Sequence, residues 1–182
     1  MPLLNAIATP YAEALLQVTE SRQETDTVAE QARQVLAIWN DSPDLRGAMT
    51  SPVLEPEAKK AAVAALFSDQ LAPSFVNLLK LLADRQRIAV LDAVLVRYLE
   101  LYRGLRNITL AKVVSAQPLS EDQQAQLNTK VQAITGTKSV EFDLHVDPAL
   151  IGGFIVSMGS QVIDASLSGQ VRRLGLALAK VS

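Results

Sequence analysis

Several residue types and patterns on which whole classes of protein depend are missing from this sequence. There is no cysteine, which excludes disulfide bonds, thiolate metal sites and cysteine nucleophiles. The single histidine, His145, alternates with Glu141 and Asp143 on the polar face of a predicted strand, so we expect neither a catalytic triad nor a multi-histidine metal site. No run of about 18 apolar residues occurs, and we therefore expect no membrane-spanning helix.

The chain also has no excess of positive charge. It carries 17 Lys and Arg residues against 19 Asp and Glu, a formal net charge of -2. Binding to a phosphate backbone usually requires a basic excess, and RNA recognition requires a stacking platform of aromatic residues, which make up only 4% of this chain. We therefore expect no nucleic-acid partner. Hydrophobic residues make up 49% of the 182, which indicates a folded globular protein.

The short motifs that could carry chemistry have ordinary structural interpretations. The Gly152-Gly153 pair lacks the lysine of a phosphate-binding loop and is typical of a turn. Glu121 and Asp122 open a predicted helix, where negative charge complements the helix dipole. Because no nucleophile–base pair, metal-ligand set or cofactor loop is present, the sequence predicts a protein that is not an enzyme and has no cofactor. Residues 1–5 have neither a charged region nor an uninterrupted apolar core, so we expect no secretory or transit peptide.

The two ends of the chain are built differently, with a boundary near Gly104. Six of the eight prolines lie before residue 105, and six of the eight glycines lie at or after Gly136. Before the boundary, apolar residues recur at helical spacing and prolines mark helix starts, which predicts about six amphipathic helices. The predicted fold class is α+β, with an N-terminal six-helix bundle over residues 1–105 and a small C-terminal α/β domain over residues 106–182.

The C-terminal part alternates strands with helices. Alternating apolar residues predict a strand over 140–146, and we expect further strands over 108–115, 153–158 and 161–165. Gly159-Ser160 is expected to form a two-residue hairpin loop, with glycine supplying the positive φ of a type II′ turn. Ser120 followed by Gln123 is a capping-box signature, which predicts a helix that ends before Gly136.

Two helical segments carry more apolar surface than a single buried face requires. Between Phe75 and Leu82 only Asn77 and Lys80 are polar. The first helix has two apolar stripes, one at Ile7, Tyr11, Ala14, Leu15 and Val18 and the other at Ala8, Ala12 and Leu16. Both segments could be central helices of the bundle, or they could form a groove that receives an amphipathic helix from another chain. The residue pattern leaves both interpretations open.

Three stretches resemble a known family. The stretch 147–167, with Asp147-Pro148, Gly152-Gly153 and Asp164-Ala165-Ser166, is similar to the signature of the delta subunit of F-type ATP synthase, whose mitochondrial equivalent is the oligomycin-sensitivity-conferring protein. Ala8–Leu15 resembles the opening helix of that family, and Gln86-Arg87-Ile88 resembles the segment before its last bundle helix. The resemblance extends over effectively the whole chain.

The resemblance implies a non-catalytic stator subunit that links the catalytic head to the peripheral stalk, so that proton-driven rotation is coupled to ATP synthesis. It implies that the N-terminal amphipathic helix of an alpha subunit lies between the first and fifth helices. The expected groove residues are Tyr11, Ala14, Leu15, Val18, Leu78, Leu79 and Leu82. The C-terminal domain would meet the C-terminal ends of the b-type stalk subunits, with Gly152, Gly153 and Asp164 shaping turns of the signature.

The resemblance also implies a location. The subunit would be a peripheral membrane protein, attached through its complex to the cytoplasmic face of a bacterial plasma membrane or the stromal face of a thylakoid. The alternative is a helix-binding adaptor of another multiprotein complex, which composition does not distinguish from a stator subunit.

Overall fold

Six α-helices make up the N-terminal part of the chain within the described residues. The computed structural model describes the backbone of residues 2–67 and 70–179 and the side chains of residues 4–67 and 70–173. A 3₁₀ turn, Ile88–Val90, precedes the sixth helix. The helices are α1 (Pro2–Ser21), α2 (Thr25–Asp41), α3 (Pro43–Thr50), α4 (Pro56–Phe67), α5 (Pro73–Asp84) and α6 (Leu91–Arg106).

Local sequence explains where several of these helices begin and end. Pro43, Pro56 and Pro73 each occupy the first position of a helix, where the missing N–H has no intrahelical partner to lose. Helix α5 ends where Gln86 adopts a left-handed φ of 52°, and its N–H donates to the carbonyl of Ala83 at 3.0 Å. The predicted helical bundle is confirmed.

The core of the bundle contains one buried polar link among its apolar side chains. Tyr98 of α6 is completely buried, and its hydroxyl lies 3.3 Å from the Oγ1 of Thr19. The same hydroxyl donates to the carbonyl oxygen of Thr25 at 3.3 Å. Because an unpaired buried hydroxyl would be costly, these bonds join α6 to the end of α1 and the start of α2. The largest apolar side chains around this core are Phe75, Leu79, Leu82, Leu95, Val28, Val63 and Val94.

The C-terminal part is a four-stranded sheet with two helices. Its elements are β1 (Ile108–Ser115), α7 (Glu121–Thr135), β2 (Ser139–Val146), β3 (Phe154–Met158), β4 (Gln161–Asp164) and α8 (Leu167–Ala179). The strand order is β2-β1-β3-β4, in which β1 and β2 are parallel and the other pairs antiparallel. Helix α7 provides the crossover that two parallel neighbours require. The predicted α+β fold class is confirmed.

Local signals at the ends of α7 and at the hairpin behave as predicted. Ser120 accepts a hydrogen bond from the backbone of Gln123 at 3.3 Å, and the Gln123 side chain accepts one from Ser120 N–H at 3.0 Å. Gly136 ends α7 with a left-handed φ of 68°. Gly159 has a φ of 56°, as the first central position of a type II′ hairpin turn requires.

One face of the sheet packs on α7. Ala111 and Val113 of β1 lie beside Met158 and Val156 of β3. These four side chains are buried with Leu127 and Val131 of α7 to form the core of this part of the chain. The chain divides into two compact units, Met1–Gly104 and Leu105–Ser182.

Candidate functional site

A groove of about 300 Å³ runs between α1 and α5. The two helices are antiparallel, because Ser74 at the start of α5 lines the groove with Arg22 just after α1, while Arg87 after α5 bonds to Tyr11. The lining residues are Tyr11, Ala14, Leu15, Val18 and Arg22 on one side and Ser74, Asn77, Leu78 and Leu81 on the other.

Helix α1 presents a partly exposed apolar stripe to this groove. Tyr11, Ala14, Leu15 and Val18 recur at helical spacing and therefore share one side of the helix. Val18 remains 41% exposed even though it is apolar. The neighbouring stripe of α1 turns into the bundle, where Ala8 and Ala12 are fully buried and Leu16 is half-buried. The groove stripe therefore runs from the core, where Leu15 is 4% exposed, to the surface at Val18, whereas Ala8 and Ala12 lie wholly in the core.

On helix α5, two residues of the predicted site do not line the groove. Leu79 is 2% exposed and Leu82 is fully buried, so both lie in the core and neither lines the groove. The prediction that they face the groove is wrong, because a residue one position after Leu78 or Leu81 lies about 100° further around the helix. Leu81, which is 42% exposed, lines the groove instead.

The two ends of the groove are polar. At one end the guanidinium of Arg87 donates to the hydroxyl of Tyr11 at 3.1 Å. At the other end the Ser74 hydroxyl donates to the carboxylate of Glu24 at 2.9 Å, and Arg22 completes the lining. The groove is thus an apolar trough with hydrogen-bonded ends.

Sequence reasoning missed four lining residues, which are Arg22, Ser74, Asn77 and Leu81. Helical spacing could have found three of them, because Ser74 and Leu81 lie four before and three after Leu78, and Arg22 lies four after Val18. The contact between Tyr11 and Arg87 had no local signal, since 76 residues separate them.

The glycine pair of the C-terminal signature lies where β3 begins. The carbonyl of Gly152 accepts a bond from the backbone N–H of Leu167 at 3.0 Å. Gly153 has a φ of 82°, and a Cβ built there would collide with the carbonyl oxygen of Ala165. The start of β3 therefore lies directly against the turn that leads into α8, and only glycine fits this approach.

Asp164, the last residue of β4, stabilises the same turn through hydrogen bonds to Ser166. Its carboxylate accepts bonds from the backbone N–H of Ser166 at 3.0 Å and from the Ser166 hydroxyl at 2.5 Å. The Ser166 hydroxyl in turn accepts the N–H of Gly169 at 3.1 Å and caps the start of α8.

Two arginines of α8 complete this network. Arg172 donates to the Asp164 carboxylate at 3.2 Å, and Arg173 donates to its backbone carbonyl at 2.9 Å. The hydrogen bonds from Ser166, assisted by the two arginines, hold the pKa of Asp164 below its usual value. Gly152, Gly153 and Asp164 thus lie together at the junction of β3, β4 and α8.

Within residues 2–67 and 70–179, no group of three or more His, Asp or Glu side chains is placed to hold a metal ion. In the same ranges no helix is both long and apolar enough to cross a membrane. The fold and the groove therefore define a class, a two-unit α+β protein whose candidate site is an open apolar trough with polar ends.

The comparison with known proteins narrows that class to one family. The chain belongs to the ATP synthase delta (OSCP) subunit family, whose model matches residues 7–178. It is 70% identical to the ATP synthase subunit delta of Synechococcus sp. (strain CC9605), over the full length of both chains. It is 66% identical over 181 residues to the organellar chromatophore ATP synthase subunit delta of Paulinella chromatophora, again covering both chains fully.

The fold is also found in a solved structure. A chain in the cryo-EM structure of the Toxoplasma gondii mitochondrial ATP synthase hexamer matches with a TM-score of 0.74. The match covers 94% of this chain and 97% of the other, at 22% sequence identity, and shows that the fold is shared.

Family membership establishes the role of the chain. It is a non-catalytic stator subunit of the F-type ATP synthase, and it is peripheral to the membrane complex. The predicted family and function are confirmed. An adaptor role in another complex is not favoured by any of these relatives.

Proposed function

We propose that the groove between α1 and α5 binds the N-terminal amphipathic helix of an alpha subunit of the catalytic head. The N-terminal domain, residues 1–105, would hold the head by this contact. The C-terminal domain, residues 106–182, would bind the C-terminal ends of the b-type subunits of the peripheral stalk. The two contacts together would keep the head from turning with the central shaft.

The observation that carries this proposal is the exposed apolar floor of the groove. Val18 and Leu81 are 41% and 42% exposed and lie on facing helices. A helix with apolar residues at positions i, i+3, i+4 and i+7 would cover both side chains at once. Ala14 lies between the larger side chains of its stripe, and its small size lets a partner helix approach closely.

Hydrophobic burial in the groove would supply a substantial part of the binding free energy of the proposed complex. Burying a leucine or valine side chain contributes about 1.5–3 kcal/mol, whereas a nanomolar complex requires about -12 kcal/mol in total. Several anchors are therefore needed, because ordering the partner helix opposes binding. Tyr11, Val18 and Leu81 retain exposed surface that a partner helix could cover, whereas Leu15 and Leu78 are only 4% and 7% exposed and form the buried base of the groove.

Calorimetric titration of the full chain with a synthetic peptide, made from the N-terminus of the cognate alpha subunit, tests the contact with the head. Val18→Asp and Leu81→Asp should each lower the affinity by at least about tenfold, because an unpaired carboxylate in an apolar interface costs several kcal/mol. Val96→Asp is a matched control, since Val96 is 44% exposed on α6 and does not line the groove.

Two results would contradict the groove assignment. One is wild-type affinity in folded Val18→Asp and Leu81→Asp variants, and the other is an equal loss in the Val96→Asp control. Absence of binding by the unaltered chain would contradict the choice of partner.

For the C-terminal domain we propose that the sheet face opposite α7, or α8, meets the stalk. Val162 of β4 and Val171 of α8 are 63% and 68% exposed. Co-purification of the full chain with the C-terminal segment of a b-type stalk protein should fail for Val162→Asp or Val171→Asp. It should persist for Ile134→Asp, which alters an exposed residue of α7. Loss of co-purification in the control alone would contradict this placement.

We propose that the complex lies on a thylakoid or a bacterial plasma membrane, with this subunit on the stromal or cytoplasmic face. The cyanobacterial and chromatophore relatives support that choice. Immunoblotting of separated thylakoid and plasma membranes decides between the two. Recovery of the subunit from neither membrane would contradict the proposal.

A further inference from the structure

Arginine side chains mark both ends of the groove. Arg22 is exposed and lines the end near Ser74, while Arg87 is exposed at the other end and uses one guanidinium N–H to hold the Tyr11 hydroxyl at 3.1 Å. A guanidinium carries five N–H donors, so Arg87 retains donors after bonding to Tyr11. Both ends can therefore offer a positive charge to a docked helix.

The carboxylates of the two groove helices are directed elsewhere. Glu13 and Glu20 lie on the side of α1 that is turned away from the groove stripe. Asp84 of α5 pairs with Lys60 of α4 at 2.9 Å. Glu24, two residues after Arg22 in the sequence, is half-buried, and its carboxylate accepts a hydrogen bond from the Ser74 hydroxyl.

The spacing of the two ends follows from the length of helix between Tyr11, which bonds to Arg87, and Arg22. Arg22 follows Tyr11, the partner of Arg87, by 11 residues of sequence, of which nearly all lie in α1. At 1.5 Å per residue this is about 16 Å, and 11 residues make three turns plus only about 20°. Two side chains 11 positions apart on a partner helix would therefore point to the same side and reach both arginines.

We propose that Arg22 and Arg87 select an amphipathic helix that carries two acidic side chains about 11 residues apart on the same side, one near each end of its apolar stripe. The pairing sets the register of the helix in the groove, which apolar contacts alone would leave free to slide by one turn. This inference rests on the proposed function of the groove.

The test is a binding experiment on the full chain with the N-terminal peptide of the cognate alpha subunit. A second peptide has every Asp and Glu replaced by Asn and Gln. Arg22→Gln and Arg87→Gln are compared with Arg46→Gln, which removes the same charge from exposed α3. Tyr11→Phe breaks the same hydrogen bond as Arg87→Gln but keeps the charge.

We expect Arg22→Gln and Arg87→Gln each to weaken binding about two- to fivefold at low salt, mainly through slower association. The loss should vanish with the amide peptide and shrink at high salt, whereas Arg46→Gln should have no effect. Tyr11→Phe should weaken binding less than Arg87→Gln.

Equal affinity for the acidic and amide peptides would overturn the charge-selection proposal while leaving the groove intact. Equal effects of Tyr11→Phe and Arg87→Gln at all salt concentrations would show that Arg87 only positions Tyr11. Failure of the unaltered chain to bind either peptide would instead remove the proposed function itself.

Discussion

Leu79 and Leu81 are two positions apart on α5, and replacing each by alanine should affect different properties. Leu79→Ala should lower folding stability, whereas Leu81→Ala should lower the affinity for the partner helix. Leu79 is 2% exposed and lines a small internal cavity of about 20 Å³ together with Trp39, Met49 and Val63. Truncating it removes buried methyl groups and enlarges that cavity, which costs about 2–5 kcal/mol. The free energy of unfolding of a domain is about 5–15 kcal/mol, so this is a large fraction of it.

Leu81 is 42% exposed, so its truncation removes far less buried area. The loss of folding stability should be about 1 kcal/mol or less, the range of most substitutions at exposed sites. Its truncation should nevertheless weaken binding of the alpha-subunit peptide, because the leucine becomes fully covered in the proposed complex.

Thermal and urea unfolding followed by circular dichroism measure the first effect, and calorimetric titration measures the second. For a unit of this size about 1 kcal/mol corresponds to roughly 4–8 °C in Tm, so Leu79→Ala should lower Tm by about 10 °C or more. Leu81→Ala should lower Tm by no more than about 4–8 °C. A Leu79→Ala variant with unaltered Tm and lost binding would refute the assignment of Leu79 to the core.

Three further predictions concern the turn into α8 and the link between α4 and α5. Gly153→Ala should destabilise the C-terminal unit by more than about 1 kcal/mol, because φ at this position is 82° and the new Cβ would collide with the Ala165 carbonyl oxygen. An unchanged midpoint of urea unfolding would contradict this prediction. The pKa of Asp164 is lowered from its ordinary value of 3.8. The carboxylate therefore stabilises the turn fully above pH 3.8, and this stabilisation is lost as the pH falls through the lowered pKa. Amide exchange in α8 should therefore rise in acid, and Asp164→Asn should abolish that dependence. Hydrogen bonds from Lys60 to Glu57 and Asp84 raise the pKa of Lys60 above 10.5. The contribution of these bonds to folding stability is therefore complete below pH 10.5 and is lost as the pH rises through the raised pKa. In unfolding experiments at alkaline pH, Lys60→Met should make stability depend less on pH.

The sequence alone determined the parts of this protein that depend on neighbouring residues. Prolines at the first helical position, the Ser120–Gln123 capping box and the left-handed Gly159 act within a few residues of chain. The sequence likewise predicted β1 with the ends that the structure shows, Ile108–Ser115. These signals are short-range, so they are present in the chain before it folds.

The family signature extended the prediction to function, but it did not identify the side chains on the groove. Tyr11, Ala14, Leu15, Val18 and Leu78 do line it. The predicted site nevertheless contained two core leucines, because α5 is apolar nearly all round and its periodicity cannot say which stripe is covered.

Tertiary structure decided which apolar surface is buried and which is open. Leu79 and Leu82 are covered because other helices of the bundle pack on their side of α5, whereas Leu81 faces the gap beside α1. The bond between Arg87 and Tyr11 also forms only when residues 76 positions apart are brought together. Such contacts depend on how the helices of the whole unit pack, which no local sequence pattern specifies. Helix packing therefore decides which apolar residues lie in the core and which line the groove.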